Sequence, residues 1–81
     1  MTTQYEVTGL REKNSTAYHI LTGHRLDPSR IVSQPISEDG YHERGRPGEP
    51  GEFLPWPKGF RFERWLELAR RTPGVVVREL S

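Results

Sequence analysis

A Pro- and Gly-rich segment, residues 37–59, is the feature that most limits what this chain can fold into. It contains five Gly and four Pro among 23 residues and shows no sustained hydrophobic period. Such a composition disfavours helices and central strands, because Pro lacks a backbone N–H and Gly loses much conformational freedom on ordering. Regular structure is therefore expected in residues 1–36 and 60–81, with the segment between them predicted to be a long loop.

Within that loop, residues 45–53 form three Gly-X-Y triplets with Pro in the third position of the first two. Three triplets are far too few for a collagen triple helix, so we expect an extended, polyproline-like strap. Loops of more than about 12–15 residues are uncommon in compact domains, where they are usually functional or disordered. This length makes the segment the first place to look for a binding surface.

Length and composition predict that residues 1–81 form a single small domain with a thin core. Only 32% of the residues are hydrophobic and the chain has no Cys, so no disulfide reinforces the core. The formal net charge of +1 argues against a general polyanion binder and against an acidic nucleic-acid mimic. No apolar run is long enough for a membrane span, and residues 1–10 lack a signal-peptide pattern, so we expect a soluble, cytoplasmic protein.

The residues before the loop predict a three-stranded meander. Alternating apolar residues favour strands over Gln4–Leu10 and Ala17–Leu26, and a third, shorter strand is predicted over Arg30–Ile36. The polar residues 12–15 between the first two strands favour a hairpin turn. Asp27-Pro28-Ser29 is expected to end the second strand, because Pro28 removes a donor from the ladder.

The residues after the loop predict one helix and one strand. Over Phe60–Arg71 the apolar side chains fall within about a 100° arc and predict a buried helix stripe consisting of Phe62, Trp65, Leu66 and Ala69. The β-branched run Val75–Leu80 predicts a strand buried on both faces, either central or paired in parallel. The expected fold is therefore α+β, a three- to four-stranded, mostly antiparallel sheet with one packed helix, in the order β-β-β-loop-α-β.

Catalytic and metal-binding motifs are missing from the sequence. The chain has three His and no Cys, and neither HExxH, a P-loop nor a GxSxG elbow is present. His19 and His24 would point to opposite faces of a strand, and most carboxylates stand singly. We therefore expect a non-enzymatic protein with no catalytic residues, metal or cofactor.

The candidate binding residues are aromatic and Arg side chains in the loop and on one helix face. Tyr, Trp and Arg are enriched at protein-binding hot spots, and nothing apolar in sequence flanks the loop arginines to hold them down. Glu67 is spaced to pair with Arg64 or Arg71, so part of the helix charge is expected to be neutralised locally. The predicted partner-binding residues are Tyr41, Arg44, Arg46, Trp56, Arg61 and Arg64.

These residues favour a small regulatory or inhibitory module that binds another protein through the loop and the adjacent helix edge. One alternative is a nucleic-acid-associated protein, with the same arginines on phosphates and Tyr41 or Trp56 stacking on bases. Another is a self-associating structural subunit, for example a homodimer, which would be indicated by Val75–Leu80 lying at a sheet edge. No membrane partner is expected.

Overall fold

The computed structural model describes residues 2–13 and 15–80, which form five strands and three helices. In chain order these are β1 (Tyr5–Thr8), α1 (Thr16–Gly23), α2 (Pro28–Ile31), β2 (Ile36–Ser37), β3 (Gly40–Glu43), β4 (Glu52–Leu54), α3 (Phe62–Arg71) and β5 (Val76–Glu79). The strands make one antiparallel sheet in the order β4-β3-β2-β1-β5. The expected α+β class is confirmed, but the sheet has five strands instead of three or four, and two helices join the one that was predicted.

The core lies between one face of the sheet and helix α3. Tyr5, Ile36, Tyr41 and Leu54 lie opposite one another across four neighbouring strands and therefore share a face. The ring of Phe62 packs 6.0 Å from that of Tyr5 and brings α3 onto this face. The predicted helix stripe is confirmed, since all four of its residues are buried: Phe62, Trp65, Leu66 and Ala69.

Helix α1 replaces the strand predicted over Ala17–Leu26. The Ser15 hydroxyl caps it by accepting a hydrogen bond of 3.0 Å from the Tyr18 N–H, and the buried residues Ala17 and Leu21 have helical spacing. The indole N–H of Trp65 donates to the Ala17 carbonyl at 2.9 Å and joins α1 to α3. The hairpin predicted at residues 12–15 is therefore wrong where the structure describes it, and Asn14 lies outside the described residues.

Helix α2 takes the place of the start of the strand predicted over Arg30–Ile36, residues 32–35 form a turn and an irregular stretch, and only Ile36 belongs to a strand, β2. The residues that were expected only to break a strand begin this helix. The Asp27 carboxylate accepts hydrogen bonds from the N–H and the hydroxyl of Ser29 at 3.0 and 2.7 Å, and Pro28 occupies the first turn. An Asp cap followed by Pro is a helix start, because the missing Pro N–H is not needed there.

Residues 37–59 contain a β-hairpin instead of a structureless loop. Strands β3 and β4 pair with Tyr41 opposite Leu54 and Glu43 opposite Glu52. The expected polyproline-like strap is instead a turn at its tip, closed by Glu49 N–H donation to the Arg46 carbonyl at 2.8 Å. Gly48, with φ of +87°, takes the left-handed position that such a Pro-Gly turn requires.

Strand β5 confirms the strand predicted over Val75–Leu80 but contradicts its predicted place. It pairs antiparallel with β1 alone, at one end of the strand order, and is neither central nor paired in parallel. Val76 is 60% exposed, so the strand is not buried on both faces. The reason is that β1 already pairs with β2 on its other side, which leaves only the outer side of β1 for a strand returning from α3.

Candidate functional site

In the structure, five of the six predicted site residues fall into two groups and Tyr41 stands apart from both. Trp56, Arg61 and Arg64 lie around Phe60, where the segment after β4 meets helices α1 and α3. Arg44 and Arg46 lie in the hairpin connection between β3 and β4. Tyr41 stands behind Trp56 and is only 5% exposed, so its side chain offers a partner little surface.

A stack of four aromatic rings fixes the first group in place. The Trp56 ring lies 4.7 Å from that of Tyr41 and 4.3 Å from that of Phe60, nearly parallel to the latter. The His24 ring meets Phe60 edge-on at 5.3 Å. The Trp56 indole N–H donates to the Ser37 carbonyl at 2.6 Å, which ties the stack to the sheet. The segment after β4 is therefore ordered by aromatic ring contacts and not by strand pairing.

A turn over residues 57–60 positions Phe60 in this stack. The Phe60 N–H donates to the Pro57 carbonyl at 3.0 Å, and Gly59 has φ of +91°. A side chain at position 59 would be strained, since L residues rarely adopt that conformation. The turn places Phe60 between Trp56 and His24, with Arg61 next to it at the start of α3.

An apolar groove with a cationic rim lies between α1 and α3 and is called here the α1–α3 groove. It has a volume of about 220 Å³, and its apolar lining comes from Ile20, Phe60, Trp65 and Leu68. Its polar lining is His24, Arg61 and Arg64, with Gly59 completing the wall. None of these lining residues is acidic, so the groove combines an apolar floor with two permanent positive charges.

Both arginines of the rim are exposed, and neither forms an ion pair with a described residue. Glu67, which by spacing could neutralise Arg64, instead bonds Arg71 at 2.6 Å. Arg61 stands at the N-terminal cap of α3 and makes no capping hydrogen bond with its side chain. A cation there opposes the helix dipole, so an anion beside Arg61 would be favoured by both the guanidinium and the dipole.

The neighbouring surface differs in charge. A second depression shares Phe60 and Arg61 with the groove but is also lined by Glu38 and Glu63. Arg61 therefore lies between the α1–α3 groove, whose lining has no carboxylate, and a depression that has two.

Arg44 has structural contacts that were not expected from its sequence neighbours. Its guanidinium donates to the carbonyls of Val32 at 2.9 Å and Ser29 at 3.4 Å, and its own N–H donates to the Arg30 carbonyl at 2.8 Å. These bonds hold the hairpin against α2. Arg46 is exposed and its side chain makes no hydrogen bond with the described residues.

The Tyr41 phenol is less acidic than that of a free tyrosine. Burial raises the pKa of its phenol above the usual 10.0, and the carboxylates of Glu43 and Glu52 raise the pKa further. The phenol therefore stays neutral well into the alkaline range. In the described residues, no three His, Asp or Glu side chains gather closely enough to hold a metal ion, and no helix there combines the length and apolar character that crossing a bilayer requires.

Ile20 and His24 are groove residues that the sequence reasoning missed, because their segment was interpreted as a strand. The signal that identifies them is the spacing of Ala17, Ile20, Leu21 and His24, which follows i, i+3, i+4, i+7 after the capping residue Ser15. The chain matches no protein-family model, no curated protein and no solved structure.

Proposed function

We propose that this chain is a non-enzymatic, regulatory or inhibitory module that binds an acidic segment of another protein in the α1–α3 groove. The observation that carries the proposal is the groove itself, an apolar floor under two exposed arginines with no acidic residue in its lining. An apolar side chain of the partner would enter between Ile20 and Leu68, and neighbouring carboxylates would bind the guanidinium groups.

The rigidity of the groove wall supports this function. Phe60 is clamped between Trp56 and His24, and Trp65 is bonded to the Ala17 carbonyl, so the floor is preformed. Preformed pockets avoid the entropy cost of ordering on contact. The partner meets a surface whose shape is already set.

Selection of binding peptides from a displayed random library tests the proposal. We expect enrichment of peptides with a Leu or aromatic residue next to Asp or Glu. Their affinity should fall at least about tenfold with the double variant Arg61→Ala and Arg64→Ala. Leu68→Asp should abolish the same binding, because it places a carboxylate on the apolar floor.

A matched control changes two exposed arginines outside the groove, Arg11→Ala and Arg46→Ala, and so removes the same charge. The control should retain the affinity within about twofold. Equal losses in the two double variants would show that net charge or the hairpin, and not the groove, carries binding.

The nucleic-acid alternative is less well supported by the charge distribution. Arg44 is bonded to the backbone carbonyls of Ser29 and Val32, and the Glu43 carboxylate lies 3.6 Å from the Arg30 guanidinium. A phosphate track needs several adjacent cations without carboxylates between them. Micromolar binding of random single-stranded DNA, weakening by three or more powers of ten per tenfold increase in salt, would replace the protein-binding proposal.

A further inference from the structure

The two edges of the sheet are not protected equally. Strand β4 has three residues, with Pro50 before it and Pro55 directly after it. Pro at an edge removes the N–H that a further strand would need, a common way of blocking edge pairing. Strand β5 has four residues and no Pro, and three consecutive Val run into it at Val75–Val77.

The backbone of β5 presents unpaired groups to the outside. Leu80 N–H donates to the Gln4 carbonyl at 2.8 Å, on the side of β1. The direction of backbone hydrogen bonding alternates along an antiparallel strand. The backbone N–H and C=O groups of Arg78 and Val76 therefore also face β1, while those of Val77 and Glu79 point outward. No described strand lies on that side.

Side chains along β5 add apolar surface beside these groups. Val76 is 60% exposed and Leu80 37%, two of the three most exposed large hydrophobic residues described. Arg78 shares the face of Val76 and bonds the Glu6 carboxylate at 3.0 Å. An apolar residue and a cation therefore alternate on one face of an open edge.

We propose that β5 pairs antiparallel with β5 of a second copy, around a two-fold axis at Val77, and joins two five-stranded sheets into one. A two-fold axis perpendicular to the sheet makes such an edge contact self-complementary. Val77 lies opposite Val77 of the second copy, and Val76 opposite Arg78, whose aliphatic stem covers it. The outward N–H and C=O groups of the two Val77 residues bond each other, and Glu79 N–H donates to the opposite Val75 carbonyl.

Other strand registers would also place the helices of both copies on the same side of the joined sheet, but they are less favourable. An axis at Arg78 or at Glu79 places like charges directly opposite each other, which destabilises a strand pair. An axis at Val76 sets Val77 opposite Val75, whose N–H already donates to the Thr72 carbonyl at 3.1 Å. The Val77 register avoids opposed like charges. Val75 cannot donate in this register either, but the two Val77 residues bond each other, which gives two more hydrogen bonds than an axis at Val76.

Sedimentation velocity across a concentration series tests the pairing. The mass of the unmodified chain should rise from 9.4 kDa toward twice that value as the concentration increases. We expect the rise only at high concentration, because a four-residue edge buries little area. Val76→Lys should weaken the dimer about tenfold, since symmetry places two ammonium groups opposite two Arg78 side chains. Val76→Glu, which offers Arg78 a carboxylate, should keep or strengthen it.

Glu79→Pro removes an outward N–H without touching the bonds to β1 and should also weaken the dimer. The backbone amides of Val77 and Glu79 have no partner inside the described chain. Their hydrogen exchange with solvent should slow only at concentrations at which the dimer forms. Far-UV circular dichroism verifies that each variant folds. A chain that stays monomeric throughout, or equal effects of Lys and Glu at position 76, overturns the proposal.

The groove and the edge can be tested independently. Strand β5 supplies none of the lining residues of the α1–α3 groove. Loss of peptide binding in the Arg61 and Arg64 variant, with dimerisation intact, therefore concerns only the first proposal. Loss of the dimer in Val76→Lys, with peptide binding intact, concerns only the second.

Discussion

The middle of the Pro- and Gly-rich segment and its C-terminal end are held in different ways. The aromatic end, residues 54–60, carries the stacked rings of Trp56 and Phe60, which are fixed by ring contacts with Tyr41 and His24. The hairpin connection, residues 44–51, has no aromatic residue and is held by the Arg44 guanidinium and one Pro-Gly turn. Pro and Gly are abundant in both stretches, so composition alone does not decide how well each is ordered.

The difference shows what orders a segment that cannot form a helix or a long strand. Aromatic rings bury a large area with few rotatable bonds, so a few of them offset the entropy lost on fixing the backbone. A single guanidinium bonded to backbone carbonyls fixes one point and leaves the tip exposed. The aromatic end can therefore form the wall of a binding groove, whereas the hairpin connection is attached to the domain at α2.

Trp56→Ala should have the largest effect on this comparison. It removes the centre of the ring stack and the hydrogen bond to the Ser37 carbonyl, and should lower the free energy of unfolding by about 2–3 kcal/mol because the side chain is half-buried. Trp56→Phe keeps a ring in the stack and should cost about 1 kcal/mol. Urea unfolding measures both. A loss below about 0.5 kcal/mol for the Ala variant would show that stacking does not order the aromatic end.

The fold could be predicted from the sequence where the hydrophobic pattern fitted only one type of secondary structure. The apolar arc of Phe62, Trp65, Leu66 and Ala69 fits only a helix, and that helix was predicted to within two residues of its ends. In contrast, Tyr18 and Ile20 alternate like strand residues, yet the same stretch carries the helical spacing of Ala17 and Leu21. The capping residues Ser15 and Asp27 resolve such cases, because a cap marks a helix start independently of hydrophobic period.

The candidate site was predictable in part for the same reason. Residue type alone identified Trp56, Arg61 and Arg64, which the structure brings together around Phe60. Ile20 and His24 could not be placed beside them while their segment was taken for a strand. The structural role of Arg44 was also hidden, since its acceptors are backbone carbonyls of Ser29 and Val32, which leave no trace in side-chain patterns.

Arg44 and Arg46 provide a smaller test at the hairpin connection. Arg44→Ala removes two guanidinium hydrogen bonds and should cost about 1 kcal/mol, less than a buried charged bond because the side chain is exposed. Arg46→Ala removes no described hydrogen bond and should stay within about 0.5 kcal/mol of the unmodified chain. Thermal unfolding of the two single variants compares them directly. Equal losses would mean that the hairpin is not held at Arg44.

The smallest effect is expected from the Tyr41 hydroxyl, which lies where the aromatic end meets the sheet. Burial, with Glu43 and Glu52 nearby, raises the pKa of this phenol in the folded state above the 10.0 of the unfolded chain. As pH rises above about 10, the unfolded chain releases this proton first, so the folded state holds more protons and the free energy of unfolding falls. The contribution is fully present below pH 10 and is lost as pH rises toward the folded pKa.

Tyr41→Phe isolates that contribution because it keeps the ring that packs on Trp56. Its stability at neutral pH should stay within about 0.5 kcal/mol of the unmodified chain. Urea unfolding at a series of pH values from 8 upward should show a shallower alkaline loss for the variant. Tyr18→Phe is the matched control and should keep the steeper loss, since Tyr41 is still present. If the two variants lose stability in parallel, the alkaline sensitivity does not arise where the aromatic end contacts the sheet.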